Sequence, residues 1–230
     1  MKKIGLVGGI SWSSTMDYYR LINEGINKRL GGLNYAECLI YSVNFNHFQR
    51  ANAAHDWSSA LALLSRAAVN LEKAGADMVL LCANTAHIVA DGVSDRITIP
   101  LIDIRTATIK SIQAKGLQKI GLLGTSYTME LDFYKSRLQE SGIEVIVPAA
   151  AADRAFIEHT LLYELGRGII VEETKRIYLK IIESLISQGA EGIVLGCTEI
   201  PLLIKSEDVS VPTFNTTQLH AEAAVEIAIK

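Results

Sequence analysis

The sequence predicts an α/β chain made of two similar halves, each a parallel sheet covered by helices. Short β-branched runs alternate with longer stretches of helical periodicity, the pattern of repeated βαβ units. Three landmarks of the first half also recur, in the same order, in the second. Gln118–Gly124 repeats Lys2–Gly8, Gly189–Leu195 repeats Gly75–Leu81, and Val211–Asn215 echoes Ile99–Asp103. The offset drifts only from 116 to 114 to 112 residues. A repeat unit this long is a duplicated half-molecule rather than a solenoid period.

In chain order, the first half opens with an apolar run over 3–7 that ends on paired glycines. A helix follows over 14–29, then a strand over 37–43, a helix over 58–74, and strands over 77–81 and 100–104. The second half reads as a strand over 119–123, a helix over 129–141, a strand over 144–148 and helices over 157–165 and 172–188. Strands over 192–195 and 212–214 complete it, and a last helix starts behind Asn215-Thr216-Thr217, residue types that cap helix starts. The halves are expected to comprise residues 1–104 with 209–230, and residues 105–208.

At 230 residues, 49% hydrophobic and 20% charged, the chain has ordinary globular composition. A net charge of -3 gives no support to a nucleic-acid partner. The apolar start is short, broken by glycine and lacks a small-residue cleavage site, and no run is long enough to cross a bilayer. The expected location is the cytoplasm. Cys38, Cys82 and Cys197 cannot all pair and show no metal-site spacing, so no metal is expected and the thiols are expected to be free.

Open α/β sheets bind ligands at the carboxyl ends of their strands. Two such sheets facing each other would set those ends across one inter-domain cleft, the expected active site, and offer a ligand two equivalent loops. In the first half that loop is Cys82-Ala83-Asn84-Thr85-Ala86-His87; in the second it is Gly196-Cys197-Thr198-Glu199-Ile200-Pro201. The repeat pairs Cys197 with Ala83, and Gly196 with Cys82. Neighbouring side chains of an extended segment point to opposite faces. With Cys197 in the cleft, Cys82 points into the core, and Cys38, inside a strand, reads as core too. Gly5-x-x-Gly8-Gly9 raises a nucleotide-binding alternative but lacks the full dinucleotide spacing and any P-loop lysine.

The chain resembles the aspartate/glutamate racemase superfamily, and within it the aspartate racemase branch. The resemblance rests on Gly8-Gly9-Ile10-Ser11-Trp12-Ser13-Ser14-Thr15, Asn84-Thr85-Ala86-His87, Leu122-Leu123-Gly124-Thr125, Gly196-Cys197-Thr198-Glu199-Ile200 and His220. The Asp-Ser-Gly-x-Gly-Gly opening and Cys-Thr-His turn typical of cell-wall glutamate racemases are not found. The resemblance implies two pseudo-symmetric flavodoxin/Rossmann-like three-layer domains. It implies a small acidic amino acid as substrate, no pyridoxal phosphate or other cofactor, and a homodimer.

Such racemases use two thiols on opposite faces of the α-carbon, one removing a proton and the other delivering one. Cysteine suits the task because its pKa of ~8.5 can be drawn toward neutrality. Cys197 is the expected catalytic thiol. Ile10, Ser11, Asn52, Ala83, Asn84, Thr85, Thr125, Thr198 and Glu199 are the expected substrate-binding residues, with Asn52 in a loop over the pocket. Amides of the Gly8–Ser11 turn are further donors for a developing enediolate. His87 and His220 either lie near the cleft or hydrogen-bond within helix starts; Arg50, Arg154 and Arg167 could meet a carboxylate.

The departure from the pattern is Ala83, which stands where the first catalytic thiol would be and has no exchangeable proton. Cys197 then works with water, another side chain or Cys82, or racemisation is slow or one-directional. A one-thiol isomerase or decarboxylase of small dicarboxylates, and a non-catalytic amino-acid-binding protein, are the alternatives.

Overall fold

A computed structural model of the chain describes residues 1–230. In chain order the elements are β1 (Ile4–Gly8), α1 (Trp12–Leu30), β2 (Cys38–Ser42), α2 (Phe45–Ala53), α3 (Trp57–Lys73) and β3 (Met78–Leu81). A 3-10 turn (Thr85–Val89) leads to α4 (Ala90–Ser94), β4 (Leu101–Ile102) and α5 (Ile104–Ala114). Then come β5 (Lys119–Gly124), α6 (Ser126–Glu130), α7 (Asp132–Glu140), β6 (Glu144–Ile146), α8 (Ala151–Tyr163) and α9 (Glu172–Ser187). The chain closes with β7 (Gly192–Gly196), α10 (Ile200–Leu203), β8 (Thr213–Asn215) and α11 (Thr216–Ala228). None of these helices is long and apolar enough to cross a membrane.

Two compact units result, Met1–Ile104 with Thr217–Lys230, and Arg105–Thr216. Their parallel sheets have the same order, β2-β1-β3-β4 and β6-β5-β7-β8. Registers match as well: Ile4 to Val7 of β1 pair with Met78 to Leu81 of β3, and Ile120 to Gly124 of β5 pair with Gly192 to Gly196 of β7. Superposing these ladders sets Leu81 on Leu195, Cys82 on Gly196 and Ala83 on Cys197, the pairing read from the repeat.

The central strands of the first unit are covered on both faces. Val7, Val79 and Leu81 pack into a cluster with Leu64, Ala67 and Leu71 of α3 and Phe48 of α2. Their neighbours Ile4, Leu6, Met78 and Leu80 pack the other way, against Tyr18, Ile22 and Ile26 of α1 and Ala221, Ala224 and Val225 of α11. Strands buried on both sides read as unbroken apolar runs, which is why the sequence showed no alternation there. α1 forms because its buried residues recur at helical spacing and Ser11 caps its start, accepting from the Ser14 amide at 3.4 Å. Asp56 caps α3 in the same way, through the Ser59 amide at 3.0 Å.

In the second unit Leu123, Ile193 and Leu195 pack with Ile157 and Leu161 of α8 and Tyr178, Ile181, Ile182 and Leu185 of α9. Glu172 and Glu173 occupy the first turn of α9, where negative charge suits the helix dipole. The alternate residues Ile120, Leu122 and Val194 are fully buried too, so this sheet is also the middle of three layers.

Several expected boundaries differ. The boundary at 209 falls ahead of β8, which pairs with β7, so residues 209–216 stay with the second unit and the return to the first comes at Thr217. The helix expected over 129–141 is broken at Leu131, which is extended, and becomes α6 and α7. α2 and α5 were not foreseen. α5 is rich in β-branched residues (Ile104, Thr106, Thr108, Ile109), which are indifferent helix formers, so its packing rather than its propensity makes it a helix.

Candidate active site

In the second unit β7 is buried to its last residue, Gly196, and the chain then turns through Cys197, Thr198 and Glu199 into α10, which has Pro201 in its first turn. The glycine is required by packing. A Cβ there would come within 2.8 Å of the Leu123 carbonyl oxygen and 3.2 Å of Thr128 Cγ2. That closeness draws the turn after β5 alongside the end of β7. Thr125 caps α6 there, and its hydroxyl lies 3.2 Å from that of Thr128. Cys197, Thr198 and Glu199 are each half-buried. Cys197 Sγ donates to Glu199 Oε2 at 2.9 Å, and Thr198 Oγ1 donates to the same oxygen at 2.6 Å. One carboxylate oxygen thus gathers a thiol and a hydroxyl from consecutive residues. Glu158 of α8, which sequence reasoning missed, accepts from the Ser126 amide at 2.7 Å. Nothing in its local sequence distinguishes it from any other helix-surface glutamate.

The corresponding turn of the first unit carries Ala83, half-buried, with Asn84 buried and Thr85 half-buried. Ser14 Oγ donates to the Cys82 carbonyl at 2.7 Å, so the start of α1, with buried Ile10 and half-buried Ser11, is tied to the end of β3. The glycines before it serve local packing. Gly9 has φ +83°, and a Cβ there would collide with the Val43 carbonyl. Its amide donates to Thr15 Oγ1 at 2.9 Å, so it is not the open donor that the sequence suggested. Asn52 lies on α2 rather than in a loop; it is buried, and its Oδ1 has no hydrogen-bond partner.

His87 takes the second of the two roles expected of it, bonding at helix starts, whereas His220 bonds to Tyr18 of α1 and to the end of β4. His87 Nε2 accepts from the Ile104 amide at 3.2 Å, which leaves the proton on Nδ1 to be donated to the Ala83 carbonyl at 2.9 Å. His220 donates from Nε2 to the Ile102 carbonyl at 2.6 Å and accepts from the Tyr18 hydroxyl at 2.7 Å through Nδ1. Both rings are fully buried, 5.5 Å apart. Arg154 is committed to the Pro148 and Ala149 carbonyls and to Glu130, and Arg167 lies over the Tyr163 ring. No group of three or more His, Cys, Asp or Glu side chains is arranged to hold a metal ion.

Residues 7–224 match the model of the Asp/Glu/hydantoin racemase family. The chain belongs to that family. Among solved structures, this racemase is similar to an Asp/Glu racemase candidate from Yersinia pestis, 46% identical with a TM-score of 0.94 and both chains covered completely. It is similar also to an aspartate racemase homologue from Pyrococcus horikoshii, 36% identical with a TM-score of 0.89 and complete coverage of both. A broad specificity amino-acid racemase from Bacillus subtilis is 25% identical over 96% of each chain. The protein is accordingly an isomerase of the racemase type.

The three thiols of the racemase differ in what their surroundings allow. Burial pushes Cys38 up to about 11 and holds Cys82 far above the ordinary thiol range. Cys82 is fully enclosed in the cluster beneath α1 and α11, the core position foreseen for it. Cys197 is also raised well above its ordinary value, by burial first and then by the Glu199 carboxylate, with Glu158 adding a smaller push. At neutral pH it is a thiol with a proton acceptor already in hydrogen-bond contact. Such a pair can pass the thiol proton to the carboxylate and so uncover a thiolate only when one is needed.

Proposed function

We propose that this racemase acts on a small acidic amino acid, aspartate or glutamate, with Cys197 as the acid/base and with no cofactor. The observation that carries the reading is the Cys197 thiol donating to Glu199 at 2.9 Å directly after β7. In the proposed cycle Glu199 takes the thiol proton and the resulting thiolate removes the α-proton of the substrate. The carbanion then collapses with a proton delivered to its other face. Ser11, Asn84, Thr85, Thr125 and Thr198 are proposed substrate donors, with Ile10, Ala83 and Asn52 completing the substrate surroundings. Similarity to the Yersinia Asp/Glu racemase candidate and the Pyrococcus aspartate racemase homologue favours an acidic substrate, while the broad specificity of the Bacillus enzyme argues for a tolerant side-chain pocket.

Because Ala83 stands opposite Cys197 in the repeat, the second proton comes from water rather than a thiol, and the two directions of racemisation have unequal rates. The same residue favours a second reading, a one-base isomerisation or decarboxylation of a small dicarboxylate. Incubating each enantiomer in deuterated water separates these readings. Racemisation gives α-deuterated amino acid of both hands, whereas decarboxylation gives a product one carboxylate shorter. Cys197→Ala is expected to slow α-exchange by ~10²–10⁴-fold, the usual worth of a positioned acid/base. Undiminished exchange in that variant eliminates Cys197 as the base.

A further inference from the structure

Three consecutive carbonyls of the turn after β3 are held in place, two of them by one residue. Ser14 Oγ donates to the Cys82 carbonyl at 2.7 Å, and the His87 ring donates from Nδ1 to the Ala83 carbonyl at 2.9 Å. The His87 amide donates to the Asn84 carbonyl at 3.0 Å. The ring itself has little room to drift. The Ile104 amide donates to its Nε2 at 3.2 Å, and the His220 ring stands edge-on to it at 5.5 Å. His220 is fixed in turn by the Ile102 carbonyl and the Tyr18 hydroxyl, and both imidazoles are fully buried.

The matching turn of the second unit is built otherwise. Pro201, whose ring has no donor, stands in the place of His87, and the Cys197 carbonyl accepts from the Ile200 amide at 3.3 Å, an ordinary backbone bond. There the side chains converge on Glu199, through the Cys197 thiol at 2.9 Å and the Thr198 hydroxyl at 2.6 Å. A buried histidine therefore serves the turn that has lost its thiol, and a carboxylate serves the turn that has kept one.

We propose that His87 is a positioning residue for the proton transfer that the first turn performs in place of the missing thiol. The inference rests on the racemase cycle proposed above. In that cycle water delivers the second proton, and the hydroxide it leaves is neutralised by the proton that Glu199 took from Cys197. Water has no tether to the chain, so its polar neighbours alone orient it, and Asn84 and Thr85 follow Ala83 directly. A peptide unit is planar, so the ring that fixes the Ala83 carbonyl also fixes the plane from which Asn84 and Thr85 extend. His87 acts through that peptide.

Two substitutions divide the ring's contacts between them. Asparagine can place a donor where Nδ1 stands, and glutamine an acceptor where Nε2 stands. His87→Asn thus keeps the bond to Ala83 and loses the one from Ile104, and His87→Gln does the reverse. Each full-length enzyme is incubated in deuterated water with L- or D-aspartate, and the enantiomer that exchanges faster is followed by chiral chromatography with mass detection. Deuterium with the hand retained reports Cys197 alone, whereas deuterium with the hand inverted also needs the first turn. Loss of folded protein lowers both alike. His87→Gln should lower the ratio of inverted to retained product by ~10–10²-fold, as misplaced reacting groups do. His87→Asn should leave that ratio near the wild-type value. An undiminished ratio in His87→Gln, or an equal fall in both variants, overturns the inference alone. In the wild type, racemic aspartate should shift the ¹⁵N resonance of His87 Nδ1 and leave His220 Nε2 in place; an unmoved Nδ1 overturns it as well. Exchange that survives Cys197→Ala, or a wild type that exchanges neither aspartate nor glutamate, sinks the underlying cycle and this inference with it.

Discussion

The ends of β3 and β7 are the same piece of architecture filled in two ways. At the end of β3 the residue in register with Gly196 is Cys82, whose side chain fits fully inside the core beneath α1 and α11. At the end of β7 that position admits no side chain, because β5 lies too close. One residue later the filling reverses: Ala83 on one unit, and on the other Cys197, partly exposed and bonded to Glu199. A shift of one residue along an extended segment moves a sulfur from the outside of a turn to the inside of a core. The turns are also anchored differently. His87 donates to the Ala83 carbonyl, whereas its counterpart Pro201 starts α10 and Glu199 gathers the side chains before it.

The largest test of this contrast is to equalise the two turns. Ala83→Cys should raise two-way racemisation by ~10²-fold or more, as expected for a restored acid/base on the second face. No gain, measured by circular dichroism of the reaction from each enantiomer, would mean that the two turns do not serve one carbon.

Next in size is the histidine anchor, found only in the first unit. His220→Leu leaves the Tyr18 hydroxyl and the Ile102 carbonyl without their partner and should cost about 3 kcal/mol in urea unfolding at pH 7. The native ring also carries a pH signature. Burial, and then the neighbouring His87, hold its folded pKa down to about 3. The unfolded chain binds that proton at about 6.5, so the folded state excludes it. Stability from this group is whole above pH 6.5 and falls as the pH drops toward 3, with a slope approaching ~1.4 kcal/mol per pH unit. Between pH 6.5 and 5 the variant should lose part of that slope, the rest belonging to any other titrating histidine. An unchanged slope would remove His220 from the account.

Smaller effects are expected at the paired strand positions. Gly196→Ala should cost about 1–3 kcal/mol through overpacking against Leu123. Cys82→Ala should cost about 1 kcal/mol for the small cavity and leave α-proton exchange intact. If Cys82→Ala abolished exchange while the fold held, the assignment of that thiol to the core would fail.

Much of this molecule was legible before any coordinates. Duplication was visible because the two copies keep the same strand residues against the same register, and strand cores tolerate little else. The burial of Cys82 in the core, against the half-buried Cys197 one position later in the other half, followed from counting positions past the third strand of each half. The Gly-Cys-Thr-Glu turn advertised itself because it places reactive side chains next to a residue chosen for close packing. α5 escaped notice because its propensity is weak; the loop position of Asn52 rested on the family resemblance alone, and the residue lies on α2 instead.

What the sequence by itself determined, then, is the architecture of each unit, the family and the position of Cys197 in the turn after β7, since all three are written in local pattern and repeat. Only the tertiary structure decided which hydrogen bonds are already spent. The Gly9 amide is taken by Thr15, both histidines are locked as neutral rings, Glu158 reaches the turn before α6, and one Glu199 oxygen binds both Cys197 and Thr198. The reason is physical. A hydrogen bond depends on angles and ångström distances between groups that chain order can place far apart, and no periodicity in the sequence encodes them.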